Sequence, residues 1–201
     1  MADNQLSALI DTANMAVQDA KDELTKLDQA IGDGDHGLNM ARGFEAIAED
    51  REKILAKPLG PALQAAGMTL VMKVGGASGP LYGSLLMSMG KAAPEGEPDA
   101  AALTDMLGAG IDAVKKRGKS DRGAKTMLDV LIPVYEALAD GADIAKVRQV
   151  ADEAAEATIP MVATKGRASY LGERSAGHMD PGAASSRLVI QTVCDVIEGA
   201  R

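Results

Sequence analysis

Apolar side chains recur at spacings of three and four residues along most of the chain, which is the period of an amphipathic α-helix. In the first segment, for example, Leu6, Ile10 and Val17 share one helical face. Helices are expected to end where proline, glycine and short polar runs interrupt this period. The pattern predicts eight helices, over residues 4–29, 37–51, 59–74, 80–92, 99–117, 125–139, 143–164 and 183–199. Because no segment keeps the alternation of a strand, the sequence predicts an all-α fold.

The connections between these helices are of two kinds. Three contain prolines, or a glycine followed by an N-capping aspartate, and are interpreted as plain connectors. The other four hold most of the glycines, both histidines and many charges. They are IGDGDHG (loop 1, 31–37), GGASG (loop 2, 75–79), RGKSDRGAK (loop 3, 117–125) and KGRASYLGERSAGHMDPGA (loop 4, 165–183).

Loops 1 to 4 follow the first, third, fifth and seventh predicted helices. If successive helices run antiparallel with short links, every connection that leaves an odd-numbered helix lies at the same end. The order therefore predicts an eight-helix antiparallel bundle or barrel. Residues 1–201 form a single domain in this prediction, and a candidate site lies at the end where the four loops meet.

Composition narrows the function classes. Aromatic residues make up 2% of the 201 residues, so the predicted core is aliphatic. The formal charge of −8 argues against a nucleic-acid partner and favours small molecules, cations or proteins. Cys194 is the single cysteine, which indicates a reducing compartment. The chain starts without a basic region followed by an apolar run and contains no apolar stretch of about 18 residues, so we expect a cytoplasmic protein without a membrane span.

Loop 1 brings acidic residues close to the end of the first helix. On a continued helix Asp28 and Asp33 would diverge by roughly 140°, since each residue turns about 100°. Gly32 and Gly34 permit a break that lets them converge, because glycine accepts positive φ. Three carboxylates, including Asp35, repel one another unless a cation neutralises them. Mg²⁺, which accepts a few carboxylates together with phosphate oxygens and water, fits this set.

A calcium-binding EF-hand is excluded for loop 1, since its fifth position would be Gly37 and its twelfth Phe44. A solvated acidic turn that caps the second helix is the other interpretation. The spacing alone leaves the metal site and the acidic turn both open.

Loops 2 to 4 add groups that suit an anion. Loop 2 places backbone N–H groups and a serine at a helix N-terminus, a setting for phosphate, although such a loop is more often a tight turn. Basic residues of loops 3 and 4 could face the aspartates, or could complement helix dipoles at C-termini, which fits Lys165 well and mid-loop Arg174 poorly. These basic residues are Arg117, Lys119, Arg122, Lys125, Lys165, Arg167 and Arg174.

For His36 and His178 we favour hydrogen bonding to a ligand or a loop over zinc ligation, given the neighbouring carboxylates. Loop 4 is long enough to indicate a functional lid, with Tyr170 and Leu171 packing it down, or else a disordered segment.

With these loops assembled, the sequence resembles the nucleotide-binding L subunit of dihydroxyacetone kinase. The motifs LDQAIGDGDHGLNMARGF, GGASGPLYG, KTMLDVLIP and KGRASYLGERSAGHMDPGA occur in the family's order and span almost the whole chain. The resemblance implies an eight-helix antiparallel barrel with the nucleotide at one end, in agreement with the loop order. One motif departs from the family, which has Gly-Asp-Lys-Thr where this chain has Gly123-Ala124-Lys125-Thr126, so a role of that aspartate in holding the loop or orienting Lys125 does not carry over.

The resemblance also implies a set of site residues. Two Mg²⁺ ions are held by Asp28, Asp33 and Asp35. The phosphate side is lined by His36, Gly37, Leu38, Asn39, Ala77 and Ser78. The rest of the nucleotide, ADP or ATP, is bordered by Gly118, Met127, Arg174, Asp180, Pro181 and Gly182. It implies no catalytic residue beyond these metal and nucleotide ligands.

The implied reaction is phosphoryl transfer to a hydroxyl of dihydroxyacetone, or of a similar ketose such as erythrulose, held on a separate K subunit without which the chain is inactive. In one version of the family a phosphotransferase-system M subunit rephosphorylates bound ADP, and in the other ATP exchanges as a substrate. A stand-alone L subunit favours the first version. A regulatory or binding module governed by nucleotide, without turnover of its own, is the alternative hypothesis.

Overall fold

A computed structural model of the chain describes residues 3–199, and these residues form helices and loops without a strand. The helices are α1 (Asp3–Ile31), α2 (His36–Glu49), α3 (Arg51–Leu55), α4 (Leu59–Lys73), α5 (Ser78–Ala92), α6 (Ala100–Gly118), α7 (Leu128–Ala139), α8 (Ile144–Ala157) and α9 (Pro181–Ile197). A 3-10 segment covers Arg167–Ser175 within loop 4. The predicted all-α fold is confirmed.

The eight long helices of residues 3–199 close into a ring. Each packs against the next along the chain, with α2 against α4 across the short α3, and α9 returns to pack against α1. The interior is filled by aliphatic side chains such as Val17, Leu70, Val114 and Leu128, each at most 2% exposed. The predicted eight-helix antiparallel barrel is therefore confirmed. None of the helices in the described part of the chain has both the length and the apolar character needed to cross a bilayer.

Helices α4 and α5 touch through their backbones. A Cβ atom built on Gly67 would lie 2.7 Å from the carbonyl oxygen of Gly83, and one on Gly60 would lie 2.7 Å from that of Gly90. Distances this short exclude any side chain, so these four glycines let the two helices approach more closely than alanine would. The close pair holds loop 2, which joins the two helices, in a fixed place.

Three predicted helix boundaries are wrong, each for a local reason. The second predicted helix breaks at Asp50, and α3 follows. The predicted helix 125–139 begins at Leu128, because Lys125 has φ 62° and cannot belong to a right-handed helix. The predicted helix 143–164 ends at Ala157. Pro160 lacks an N–H and disfavours helical backbone at the residue before it, which was the sequence signal for this earlier end.

Replacing Gly37 by alanine is expected to destabilise the protein by about 1–3 kcal/mol, the usual cost of overpacking. A Cβ at this position would lie 2.1 Å from the backbone oxygen of Lys21, so α1 and α2 would have to separate. Thermal unfolding measures the loss, at about 2–4 °C per kcal/mol for a chain of this size. Gly118→Ala is the matched control, since its Cβ would meet its nearest neighbour at 3.4 Å, an ordinary contact. Equal melting temperatures for the two variants would contradict the argument.

Candidate functional site

Loops 1 to 4 meet at one end of the barrel and line a common cleft. The lining residues come from 28–36, 76–82, 125–127, 165–168 and 180–182. The cleft therefore draws on all four polar loops, as their order along the chain predicts. The short connections at 56–58, 93–99 and 140–143 contribute nothing to it.

Loop 1 gathers the three aspartates that the sequence singles out. One carboxylate oxygen from each of Asp28, Asp33 and Asp35 lies within 4.8 Å of the other two. Asp28 is buried, and its Oδ2 accepts the backbone N–H groups of Asp35 at 2.9 Å and His36 at 3.1 Å. These bonds fold the chain after α1 back onto the helix end, as three clustered carboxylates require.

Two glycines make this fold-back possible. A Cβ on Gly32 would lie 2.0 Å from Oδ1 of Asp28, and Gly34 has φ 76°. Both positions therefore exclude or strain any other residue. Gly37, by contrast, is explained by the close approach of α1 and α2, while α2 itself already begins at His36.

His36 is engaged on both sides of its ring. Its Nδ1 lies 2.9 Å from Ser78 Oγ and its Nε2 lies 2.9 Å from Ser185 Oγ. Burial lowers the pKa of His36, and the Asp28 and Asp35 carboxylates oppose that effect. The histidine hydrogen-bonds the protein itself and ties the starts of α2 and α5 to α9.

This network continues to Tyr82, which the sequence interpretation missed. Its hydroxyl lies 2.8 Å from both Ser185 Oγ and Ser186 Oγ, and burial raises the pKa of Tyr82 to about 12. Tyr82 lines the cleft as well. A tyrosine with a serine pair about a hundred residues away is not a local pattern, so the sequence carried no signal for it beyond the rarity of aromatic residues.

Loop 3 is held by Asp129, which the sequence interpretation also missed. The buried Asp129 carboxylate accepts the backbone N–H of Gly123 through Oδ1 and that of Thr126 through Oδ2 at 2.7 Å. Ala124, at the family's usual aspartate position, is buried. The loop is therefore fixed from the first turn of α7, where an acidic residue near a helix start was the available signal.

Lys125 is buried, with 1% of its surface exposed. Its Nζ donates to the carbonyl oxygens of Ser175 at 2.6 Å, Met161 at 3.0 Å and Ile159 at 3.4 Å. Burial lowers its pKa, and the nearby Asp180 opposes that effect. The prediction that Lys125 faces the aspartates as a cation is therefore wrong. Its side chain lines the cleft, but its ammonium binds the backbone of residues 159–175, the segment before α9.

Loop 4 is ordered through one of the two side chains that the sequence proposed for it. Leu171 packs on a small cluster of Ile31, Ala163 and Ala168, whereas Tyr170 is 89% exposed. The prediction that Tyr170 packs the loop is therefore wrong. Ser175 Oγ accepts the N–H of Ala163, which ties the end of the 3-10 segment to the residues just before the loop.

The nucleotide residues implied by the resemblance divide into two groups. Those that line the cleft are His36, Ala77, Ser78, Met127, Asp180, Pro181 and Gly182. Those outside the lining are Gly37, Leu38, Asn39, Gly118 and Arg174. Asn39 is buried beside the Gly75 backbone, Leu38 is 52% exposed, and Arg174 is exposed. Their assignment to a nucleotide stays a prediction.

Asp180 begins α9 and is buried in the cleft wall. Its Oδ2 accepts the N–H of Ala183 at 2.8 Å. Burial raises the pKa of Asp180 to about 7; Asp129 adds to the rise, and the Ala183 N–H and Lys125 oppose it. A carboxylic acid with this environment stays protonated in the folded protein at pH values where the unfolded chain has already ionised.

Asp180→Asn is therefore expected to change the pH dependence of stability. The folded pKa lies above the unfolded value of 3.8, so the wild type loses stability as pH rises from about 4 to about 7, by about 1.4 kcal/mol for each pH unit in that interval. Asparagine keeps the N-cap acceptor and does not ionise. In urea unfolding, the free energy of unfolding of the variant should rise relative to that of the wild type up to about pH 7. Above that pH the difference should stay constant.

Asp143→Asn is the matched control, since Asp143 caps α8 in the same way but is exposed. A difference between Asp180→Asn and the wild type that does not vary with pH would contradict the raised pKa.

Comparisons with known proteins agree with this geometry. The sequence profile of the DAK2 domain matches residues 30–195. The chain is 49% identical over 177 residues to the PEP-dependent dihydroxyacetone kinase 1, ADP-binding subunit DhaL, of Listeria innocua, covering 88% of each chain. It is 45% identical to the corresponding ADP-binding subunit DhaL of Escherichia coli, covering 84% of each chain.

Among solved structures, the chain is similar to the dihydroxyacetone kinase from C. freundii in complex with AMP-PNP and Mg²⁺. The TM-score is 0.77 at 26% identity, and the match covers 97% of this chain. The chain spans 34% of that larger protein. The profile match over most of the sequence and the identity to these relatives show that the chain belongs to the DAK2 domain family.

Proposed function

We propose that this protein is the ADP-binding subunit of a dihydroxyacetone kinase and that it transfers a phosphoryl group from nucleotide bound in the cleft. The observation that carries the proposal is the juxtaposition of the three loop 1 carboxylates with the start of α5. Relatives named as ADP-binding subunits and a structural neighbour crystallised with AMP-PNP and Mg²⁺ support it.

The donor set fits a hard divalent cation. Asp28, Asp33 and Asp35 each offer a carboxylate oxygen within a span of 4.8 Å, and the glycine at 32 leaves space beside Asp28 that a Cβ would fill. We propose that these residues hold two Mg²⁺ ions. Bound there, Mg²⁺ would neutralise phosphate oxygens and stabilise the charge that develops during phosphoryl transfer.

The protein groups bind and orient the nucleotide. The backbone N–H groups of loop 2 and the first turn of α5 suit phosphate oxygens, and the Ser78 hydroxyl is held in place by His36. Loop 4 and the start of α9 close the other side of the cleft. Positioning and charge stabilisation account for most of this chemistry, so no covalent role for a side chain of this subunit is required.

We further propose that the acceptor is dihydroxyacetone or a similar short ketose on a K subunit. Because the relatives are named PEP-dependent and ADP-binding, we propose that ADP stays bound and is rephosphorylated by a phosphotransferase-system M subunit in the cytoplasm.

Reconstitution tests the proposal. The protein is mixed with a K subunit and dihydroxyacetone or erythrulose, with either phosphorylated M subunit or ATP and Mg²⁺, and the sugar phosphate is assayed. We expect turnover with phosphorylated M subunit, and native mass spectrometry should show one ADP and two Mg²⁺ per chain. Nucleotide binding without turnover in any combination would overturn the kinase assignment and indicate a regulatory module.

A further inference from the structure

Two residues of α5 are connected by a series of hydrogen bonds that passes through α9 and α2. Ser78 and Tyr82 lie about one turn apart on α5, and both line the cleft. Oγ of Ser78 lies 2.9 Å from Nδ1 of His36, and Nε2 of the same ring lies 2.9 Å from Oγ of Ser185. Ser185 Oγ in turn lies 2.8 Å from the Tyr82 hydroxyl. We call this series, from Tyr82 to Ser78, the hydrogen-bond path.

The direction of the bonds is set at Ser185. Its hydroxyl has a single hydrogen, and the carbonyl oxygen of Gly182, 3.1 Å away, can only accept it. The Tyr82 hydroxyl lies farther from that carbonyl oxygen, at 3.4 Å. Ser185 Oγ therefore accepts hydrogen bonds from its two other partners, the Tyr82 hydroxyl and Nε2 of His36. Because both ring nitrogens are engaged, the imidazole cannot rotate without breaking a bond.

The hydrogen-bond path is shielded from water. His36, Tyr82 and Ser185 are all buried. A buried polar group that loses its partner cannot turn to solvent instead, so removal of one hydroxyl is expected to displace the groups next to it. A change at Tyr82 should thus be felt at Ser78.

Tyr82 has a second partner that lies outside the path. Its hydroxyl is 2.8 Å from Oγ of Ser186, which is also buried. One oxygen atom therefore makes one bond on the path and one beside it, and the two can be removed separately.

We propose that Tyr82 is a positioning residue for phosphoryl transfer. Acting through Ser185 and His36, it fixes the Ser78 hydroxyl at the wall of the cleft. The proposed function places the nucleotide phosphates at this wall, and the inference rests on that proposal. Tyr82 takes no part in bond making; it restricts the orientations that the hydroxyl can adopt before the reaction begins.

Turnover of the reconstituted kinase tests the inference, with K subunit, dihydroxyacetone and the phosphoryl donor that supports the wild type. We expect Tyr82→Phe to lower kcat by about tenfold or more, since a misplacement of about 1 Å can cost 100-fold. The KM for the K subunit should stay within about twofold of the wild-type value, because the buried tyrosine does not alter the outer surface.

Ser186→Ala is the matched control, because it removes the other hydrogen bond of the same hydroxyl and leaves the path complete. Its kcat should stay within about twofold of the wild type. Ser185→Ala breaks the path at its centre, so it should reproduce the loss of Tyr82→Phe, and it keeps the test open if that variant does not fold. The double variant should lose no more than Ser185→Ala alone, as expected for residues that act as a unit.

Nuclear magnetic resonance of protein labelled with ¹⁵N-histidine reports on the path without turnover. The chain contains two histidines, and His178 is exposed, so the buried ring of His36 can be identified. A hydrogen on Nε2 that exchanges slowly with water is expected in the wild type and in Ser186→Ala. In Tyr82→Phe its signal should shift or broaden, because Ser185 has lost the donor that holds it.

Three outcomes are distinguishable. A lower kcat and a changed His36 signal in Tyr82→Phe, but not in Ser186→Ala, support the inference. A kcat of Tyr82→Phe within about threefold of the wild type, an equal loss in Ser186→Ala, or an unchanged His36 signal overturns it while the proposed function stands. A wild type that forms no sugar phosphate with any donor overturns the proposed function, and the inference with it.

Discussion

Replacing Asp33 with asparagine is expected to weaken Mg²⁺-dependent ADP binding by at least about a hundredfold and to leave the helical fold intact. The amide that replaces the carboxylate is neutral and attracts a cation much less than the charge of Asp33. Losing even a residue that orients a metal ligand costs about 10–100-fold, so losing a ligand should cost no less. Calorimetric titration of ADP with and without Mg²⁺ measures the effect.

The fold should tolerate this change, because the Asp33 side chain lies in a turn and its partner in the structure is the exposed Arg167. We expect the circular dichroism and the melting temperature to match the wild type within about 2 °C. Asp11→Asn removes another partly exposed aspartate, which pairs with Arg51, and it should leave ADP affinity unchanged. Wild-type ADP affinity in Asp33→Asn would exclude this carboxylate from the metal site.

Lys125→Met is expected to lower the free energy of unfolding by about 3 kcal/mol or more. Methionine fills a similar volume but leaves the carbonyl oxygens of Met161 and Ser175 without their donor, and an unsatisfied buried polar group costs about 1–3 kcal/mol. The melting temperature should fall by roughly 6–12 °C. Hydrogen exchange should accelerate at the amide of Thr164, which bonds to Ala124 of loop 3, and at that of Gly177, which bonds to Ile159.

Lys116→Met is the control for this prediction, since Lys116 is an exposed lysine of α6. It should change the melting temperature by less than about 2 °C. A Lys125→Met variant with the same melting temperature as the wild type would show that the ammonium does not hold the segment before α9.

The regular part of this protein could be predicted from its sequence, because helical period and loop order are local properties of the chain. The eight long helices and the common cleft of loops 1 to 4 followed from them. The aspartates of loop 1 converge as expected, since glycine permits few alternatives at positions 32 and 34.

What the sequence did not reveal depends on distant partners. A lysine in a basic loop is expected to be a surface cation, and the burial of Lys125 follows from carbonyl groups more than 30 residues away. Tyr82 and Asp129 lie in helices whose apolar pattern gives no indication that these side chains have polar partners. The partners of Tyr82 are on α9. Tyr170 is expected to pack inward by its type alone, whereas the geometry of the 3-10 segment turns Leu171 inward instead.

The glycine contacts between α4 and α5 give the two sides of the cleft unequal freedom. On that side the backbones of α4 and α5 lie in contact at four glycines, so we expect loop 2 to move little. Loops 3 and 4 are held by the Lys125 ammonium, the Asp129 carboxylate and the small apolar cluster around Ile31. We expect the wall that they form to open more readily than loop 2. Nucleotide entry and release should therefore depend on the stability of loops 3 and 4. Amides of these loops should be less protected from hydrogen exchange than those of loop 2, even when the cleft is filled.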